Sequence, residues 1–267
     1  MVRAIMLLSL ISLPSFAGDN TTTIITKGSN NQISTKQVGN GNLVKVICGA
    51  DSGGVAHTGY NYNSHTCGGA IISSTQEGNS NISRIYTVWS NNIGNRYTIS
   101  TDGNDNTAWI DQDQDDNVST ITQDGNSNYA EQLGSGDDNV YSITQTGNSK
   151  YAKILSFSDD SDYTINQYGT GAHNTYIYNY GNADNNSATV TQYGTGNKDA
   201  DIFFYADADN STVNLTQYGS GAHAANMKFY TDDYTVNVTQ SGATNQAYTA
   251  VFNCNTDCTK TLTITQQ

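Results

Sequence analysis

The chain has 267 residues, 36% hydrophobic and 13% charged, with a formal net charge of −13. The acidic balance excludes a nucleic-acid binder, which needs a basic surface, and no later apolar run approaches the about 20 residues of a membrane-spanning helix. Low hydrophobicity with net charge points towards disorder, but 18 tyrosines and many Thr, Val and Ile point to strands.

In chain order, the first element is an address. Arg3 precedes the apolar stretch Ala4 to Leu13, and Ser15-Phe16-Ala17 ends on a small residue. This is the pattern of a secretory signal peptide over residues 1–17, too short for a membrane span. The mature chain is expected to start at Gly18. Residues 18–30 read as an N-terminal segment, either an export-targeting stretch or a weak first repeat with Thr26, Gly28 and Asn31 in the repeat's slots.

From residue 31 to 267 the chain is a repeat. Its mark is Gln, followed two residues later by Gly. The Gln slot falls at Gln37, Gln76, Thr101, Gln123, Gln145, Gln167, Gln192, Gln217, Gln240 and Gln266. The Gly falls at Gly39, Gly78, Gly103, Gly125, Gly147, Gly169, Gly194, Gly219 and Gly242. Before each slot the residues alternate, as in Val140-Tyr141-Ser142-Ile143-Thr144-Gln145, which marks a strand with one buried face. Ile99, Ile121, Ile143, Ile165, Val190, Leu215, Val238 and Ile264 sit two before the slot and share its face. Asn or Ser stands six before the slot, and Asn stands five after it at Asn42, Asn81, Asn106, Asn128, Asn197 and Asn245. The Gly permits a positive-φ turn. A second strand follows, often aromatic, as in Tyr176-Ile177-Tyr178.

Strand, turn, strand, turn at intervals of 22 to 26 residues builds an all-β solenoid of about ten two-strand rungs, amyloid-like in its stacking. One rung cannot bury its own inner face, so rungs stack about 4.8 Å apart and equal side chains form columns. A buried Gln is costly alone. In a column each carboxamide can donate to one neighbour and accept from the other.

The pattern Ser/Asn-x5-Gln-x-Gly-x-x-Asn-x-Ala, clearest from Asn117 to Ala130 and from Asn139 to Ala152, resembles the curlin repeat of curli fibre subunits. The resemblance implies a secreted structural subunit of an extracellular amyloid fibre, assembling by rung-on-rung strand addition, with roles in biofilm matrix, adhesion and surface colonisation. It also implies partners: the chain itself, a nucleator subunit and an outer-membrane export pore. The sequence departs from the family at the second Gln, eleven after the first, which survives only as Gln112, and at Lys150, Ala172 and Ala222 in the Asn slot. The alternative is a secreted β-solenoid surface protein that does not polymerise, an adhesin or an ice binder.

Two insertions interrupt the repeat, near 47–69 with Cys48 and Cys67, and near 253–259 with Cys254 and Cys258. Four cysteines behind a signal peptide read as two local disulfides, Cys48–Cys67 and Cys254–Cys258. His57 and His65 lie between the first pair, which leaves a Cys/His metal site as the other reading. His173 and His223 share one slot, two rungs and about 10 Å apart, too far to share a metal, and read as repeat drift. Asp clusters such as Asp113, Asp115 and Asp116, or Asp159, Asp160 and Asp162, read as gatekeepers against early assembly or as calcium ligands. Outward Thr pairs such as Thr120/Thr122 and Thr189/Thr191 reflect strand propensity, or a flat ice-binding face. No nucleophile elbow or zincin spacing is present, so neither catalytic residues nor a cofactor are expected.

Overall fold

In the computed structural model, the residues described are 18–49, 66–87, 92–112, 114–135, 139–157, 160–179, 185–203, 211–229, 234–252 and 260–267. Among them every strand pairs in parallel, and the order of strands in each sheet is the order in the chain. One sheet holds the ten first strands of the rungs. They are Gln32–Val38, Ile71–Glu77, Arg96–Asp102, Val118–Asp124, Val140–Thr146, Asp162–Tyr168, Ser187–Gly194, Thr212–Gly219, Tyr234–Gln240 and Lys260–Gln266. The opposing sheet holds seven strands: Thr21–Thr26, Leu43–Cys48, Ile82–Thr87, Thr107–Gln112, Tyr129–Gly134, Tyr151–Leu155 and Asn174–Thr175. Its line is carried on by bridges from His173 to Lys198 and from Lys198 to His223, and then by His223–Phe229 paired with Gln246–Phe252. The molecule is therefore an all-β, parallel β-solenoid.

The expectation of about ten two-strand rungs is corrected in detail. Eight rungs carry both strands, the first being Gln32–Val38 with Leu43–Cys48 and the last Tyr234–Gln240 with Gln246–Phe252. The rung of Gln192 meets its neighbours on the second side through the bridges at Lys198, and Lys260–Gln266 is a first strand alone. The second segment of the Gln192 rung leaves extended geometry at Ile202, whose φ is +71°, and so forms no continuous ladder.

Alternation explains the core. In Val140–Thr146 the burial pattern runs exposed, buried, half-buried and so on through the strand, with Tyr141, Ile143 and Gln145 inward. Stacking puts Ile99, Ile121, Ile143 and Ile165 in register, all without solvent exposure. From the second strands, Ala108, Ala130 and Ala152 form a small-residue column, and Ile110 and Ile154 pack beside it. Parallel sheets buried in this way need β-branched residues on the inward face and tolerate polar ones outside. Each Gly after the slot has φ near +100°, from +96° at Gly169 to +121° at Gly125. A Cβ on Gly125 would also collide with the carbonyl oxygen of Gly147 one rung on, so both conformation and stacking exclude a side chain there.

Candidate functional site: the buried polar columns

Among the described residues no group of three or more His, Cys, Asp or Glu is placed to hold a metal ion. Polar chemistry inside the molecule is organised along the stacking axis. The Gln slot is the central column. Gln123 donates through Nε2 to Gln145 Oε1 at 2.9 Å, Gln145 to Gln167 at 2.9 Å and Gln167 to Gln192 at 3.0 Å. Gln192 donates to Gln217 at 2.9 Å, Gln217 to Gln240 at 2.7 Å and Gln240 to Gln266 at 2.8 Å. The second Nε2 hydrogen reaches the backbone of the preceding rung, as from Gln145 to Tyr129 O and from Gln167 to Tyr151 O, both at 2.9 Å. Gln76, Gln145, Gln167, Gln192, Gln217 and Gln240 have no solvent exposure. These six buried carboxamides thus find partners without water, which offsets their desolvation penalty.

Thr101 interrupts this column. Gln37 donates to Gln76 at 3.0 Å, but Gln76 turns to Leu43 O at 3.1 Å and Ser83 Oγ at 3.0 Å. Thr101 Oγ1 and Gln123 Oε1 are buried with no hydrogen-bond partner.

Two Asn columns run through the turns. The inner one starts at Asn20: its Oδ1 accepts the Asn42 backbone N–H, and Asn42 does the same for Asn81, Asn81 for Asn106, and Asn106 for Asn128. The outer one runs the opposite way: Asn40 N–H donates to Asn79 Oδ1, Asn79 to Asn104, Asn104 to Asn126 and Asn126 to Asn148. The outer column was missed in the sequence. The recurring Gly-Asn pair at 39–40, 78–79, 103–104, 125–126 and 147–148 was the available signal.

In the later rungs the inner Asn column is continued by different chemistry. Lys150 accepts Asn's place, with its N–H on Asn128 Oδ1 at 3.0 Å. His173, Lys198, His223 and Gln246 follow in register. Lys150, His173, Lys198 and His223 are each at most 1% exposed. The reading of His173 and His223 as drift is corrected: a turn one residue longer moves the inward position from five to six after the slot, and His173, Lys198 and His223 occupy it. Lys150 Nζ donates to Gly169 O at 2.8 Å and Gly171 O at 2.9 Å. Lys198 Nζ donates to Gly196 O at 2.9 Å, Gly219 O at 3.2 Å and Gly221 O at 2.6 Å. Burial lowers the Lys150 ammonium to about 8 and lowers Lys198 as well. Burial, then the Lys150 charge, lowers the His173 imidazole to about 4, and burial also lowers His223.

Cys48 and Cys67 are joined by a disulfide, with their Cα atoms 5.4 Å apart and both residues without exposure. A Cys/His site using this pair is thereby overturned, since an oxidised pair offers no thiolate. Cys254, Cys258, His57, His65, Asp113 and Asp159 lie outside the described residues, as do residues 1–17, where a signal peptide is expected. Asp115 Oδ1 accepts the Ile93 N–H at 2.6 Å, a turn-capping role. Outside the ten-strand sheet, two central columns carry Thr, Ser or Asn on every rung except for Lys36. The side opposite the ten-strand sheet carries aromatic stacks, Tyr129 on Tyr151 at 4.9 Å within the seven-strand sheet and Tyr178 on Phe203 at 5.1 Å beyond its last strand.

Comparison with known families matches residues 183–219 to the model of the curlin associated repeat. That segment contains the strands Ser187–Gly194 and Thr212–Gly219, with Gln192 and Gln217 in the slot. Comparison with curated proteins gives no match.

Proposed function

From the curlin associated repeat matched at residues 183–219, we propose that the chain is a secreted structural subunit of an extracellular, curli-like amyloid fibre rather than an enzyme. The observation that carries the reading is the ten-strand parallel sheet, in register from Gln32–Val38 to Lys260–Gln266. Its two outer strands each have one hydrogen-bonded neighbour in the sheet, and each bears a slot residue, Gln37 or Gln266. A second copy stacked on either strand would extend the backbone ladder and the Gln column by one more step of about 4.8 Å. Biofilm, adhesive and surface-colonising roles belong to this proposal, as do a nucleator subunit and an export pore as partners. So do the signal peptide over 1–17 and a second disulfide, Cys254–Cys258.

The test is assembly of the purified mature chain. Growth after a lag, shortened by preformed seeds, with amyloid-dye binding and a cross-β reflection near 4.8 Å, is the expected outcome. A chain that stays monomeric by sedimentation through days of seeded incubation would overturn the proposal. The Thr/Ser/Asn face of the ten-strand sheet is the observation behind the second reading, a surface solenoid that binds through this face as an adhesin or ice binder without polymerising.

A further inference from the structure

The column through Lys150, His173, Lys198 and His223 is unusual on three counts. It buries four titratable side chains in register on successive rungs. It alternates ammonium with imidazole, so the two lysines are separated by a ring. And the turns are shaped for the rings: a Cβ on Gly171 would lie 2.7 Å from His173 Cε1, and one on Gly221 would lie 2.8 Å from His223 Cε1. The segments Tyr168-Gly169-Thr170-Gly171-Ala172-His173, Tyr193-Gly194-Thr195-Gly196-Asn197-Lys198 and Tyr218-Gly219-Ser220-Gly221-Ala222-His223 share this plan.

The hydrogen bonds fix the proton positions. His173 Nε2 lies 2.8 Å from Tyr168 O, and His223 Nε2 lies 2.9 Å from Tyr218 O. A carbonyl only accepts, so Nε2 carries the hydrogen in the neutral ring. Nδ1 of each ring is then a bare acceptor, buried with no hydrogen-bond partner. A proton added at Nδ1 would create a buried cation whose new N–H meets no acceptor. The charged groups acting on His173 are Lys150 and Lys198, and the one acting on His223 is Lys198. Asp199, beside Lys198 in the chain, is exposed on the outer side and does not compensate them.

We propose that these four residues form an acid-sensitive spine, in which neutral His173 and His223 insulate the buried ammonium groups, and protonation of the imidazoles opens the rungs that carry them. The sign follows from linkage. His173 titrates near 6.5 in an opened rung and near 4 in the closed one, so the open state binds more protons between these values, and His223 is shifted in the same direction. Stability from His173 is complete above pH 6.5 and is lost as pH falls towards 4. The spine is a property of the folded rungs and does not depend on polymerisation.

The molecule supplies its own control. Gln246 occupies the same column and donates through Nε2 to Ser241 O at 2.8 Å, five residues back, as His173 does to Tyr168 O. Gln makes the turn bond and cannot be charged. The experiment is hydrogen exchange, corrected for intrinsic rates, on the mature chain and on the double variant His173→Gln/His223→Gln from pH 7 to pH 4. In the wild type, the opening constant of the rung around Asn174–Thr175 should rise up to about a hundredfold and that of His223–Phe229 should rise as well, with Ile71–Glu77, distant from the column, as the unaffected reference. The double variant should lose this selective acid response. An equal acid response in the variant, or equal opening of Ile71–Glu77, would overturn the spine. Should the variant be open already at pH 7, the imidazole titration of the wild type by NMR decides: ordinary titration near pH 6.5 for both rings overturns the proposal, and strongly depressed titration supports it.

Discussion

Gln145 Nε2 donates to Gln167 Oε1 at 2.9 Å while its other hydrogen is held by Tyr129 O, also at 2.9 Å, so one carboxamide ties its own rung to the rungs before and after it. Gln145→Ala removes both bonds and leaves Gln123 Nε2 without its ladder acceptor. A loss of about 1–3 kcal/mol is expected by urea denaturation of the mature chain. Thr144 lies on the outer side of the same strand, and Thr144→Ala should change stability by no more than about 0.5 kcal/mol. Equal losses at the two positions would show that the column is not what stabilises the strand.

The interruption at Thr101 gives the converse test. A longer carboxamide there could donate to Gln123 Oε1, which lacks a partner, and to the preceding rung's backbone. Thr101→Gln is expected to stabilise by about 0.5–1.5 kcal/mol, read as a raised thermal midpoint. A fall in the midpoint would mean that the surrounding core has no room for the added atoms.

Asp111 is 5% exposed, and burial first, then the charge of Glu131, raises its carboxyl to about 7. The folded chain therefore binds more protons than the unfolded one between about pH 4 and pH 7, and stability from this group falls as pH rises through that window. Asp111→Asn keeps the shape and removes the titration. It should stabilise by about 1–3 kcal/mol at pH 7 and by little at pH 4. Urea midpoints at the two pH values measure this, and a variant no more stable at pH 7 would show that the site accommodates the carboxylate.

The strand Lys260–Gln266 pairs with Tyr234–Gln240, with Ile264 opposite Val238. Ile264→Pro removes a backbone donor and cannot sit within a paired strand. The variant is expected to remain soluble and to elongate wild-type seeds at least tenfold more slowly. Normal seeded growth would place the growing interface elsewhere.

Much of the fold was legible because the repeat forces it. Period-2 alternation in Val140-Tyr141-Ser142-Ile143-Thr144-Gln145 assigns one face inward, and equal spacing stacks that face on the next rung. Ile121, Ile143 and Ile165 lie in register for that reason. The Gln slot was readable by the same rule, since it shares the Ile face. Lys150, His173, Lys198 and His223 were not. A single added residue in the turn shifts the inward position, and the sequence does not announce that a lysine will lie buried with its ammonium on glycine carbonyls. Propensity and hydropathy assign Lys to the surface, and only the stacked carbonyls of Gly169, Gly171, Gly196, Gly219 and Gly221 make the exception affordable.

The Gln column also has an arrow. From Gln123 to Gln240 every carboxamide donates through Nε2 to the following rung, and from Gln145 to Gln266 every one accepts through Oε1 from the preceding one. Aligned amide dipoles add, as they do along a helix, so the row is partly positive towards Gln266 and partly negative towards Gln123. Turned over, a second copy would bring donor against donor or acceptor against acceptor. Any stack that continues this row is therefore built of copies facing one way, and its two tips differ chemically: one offers hydrogens, the other lone pairs. A cap that blocks one tip should leave the other untouched.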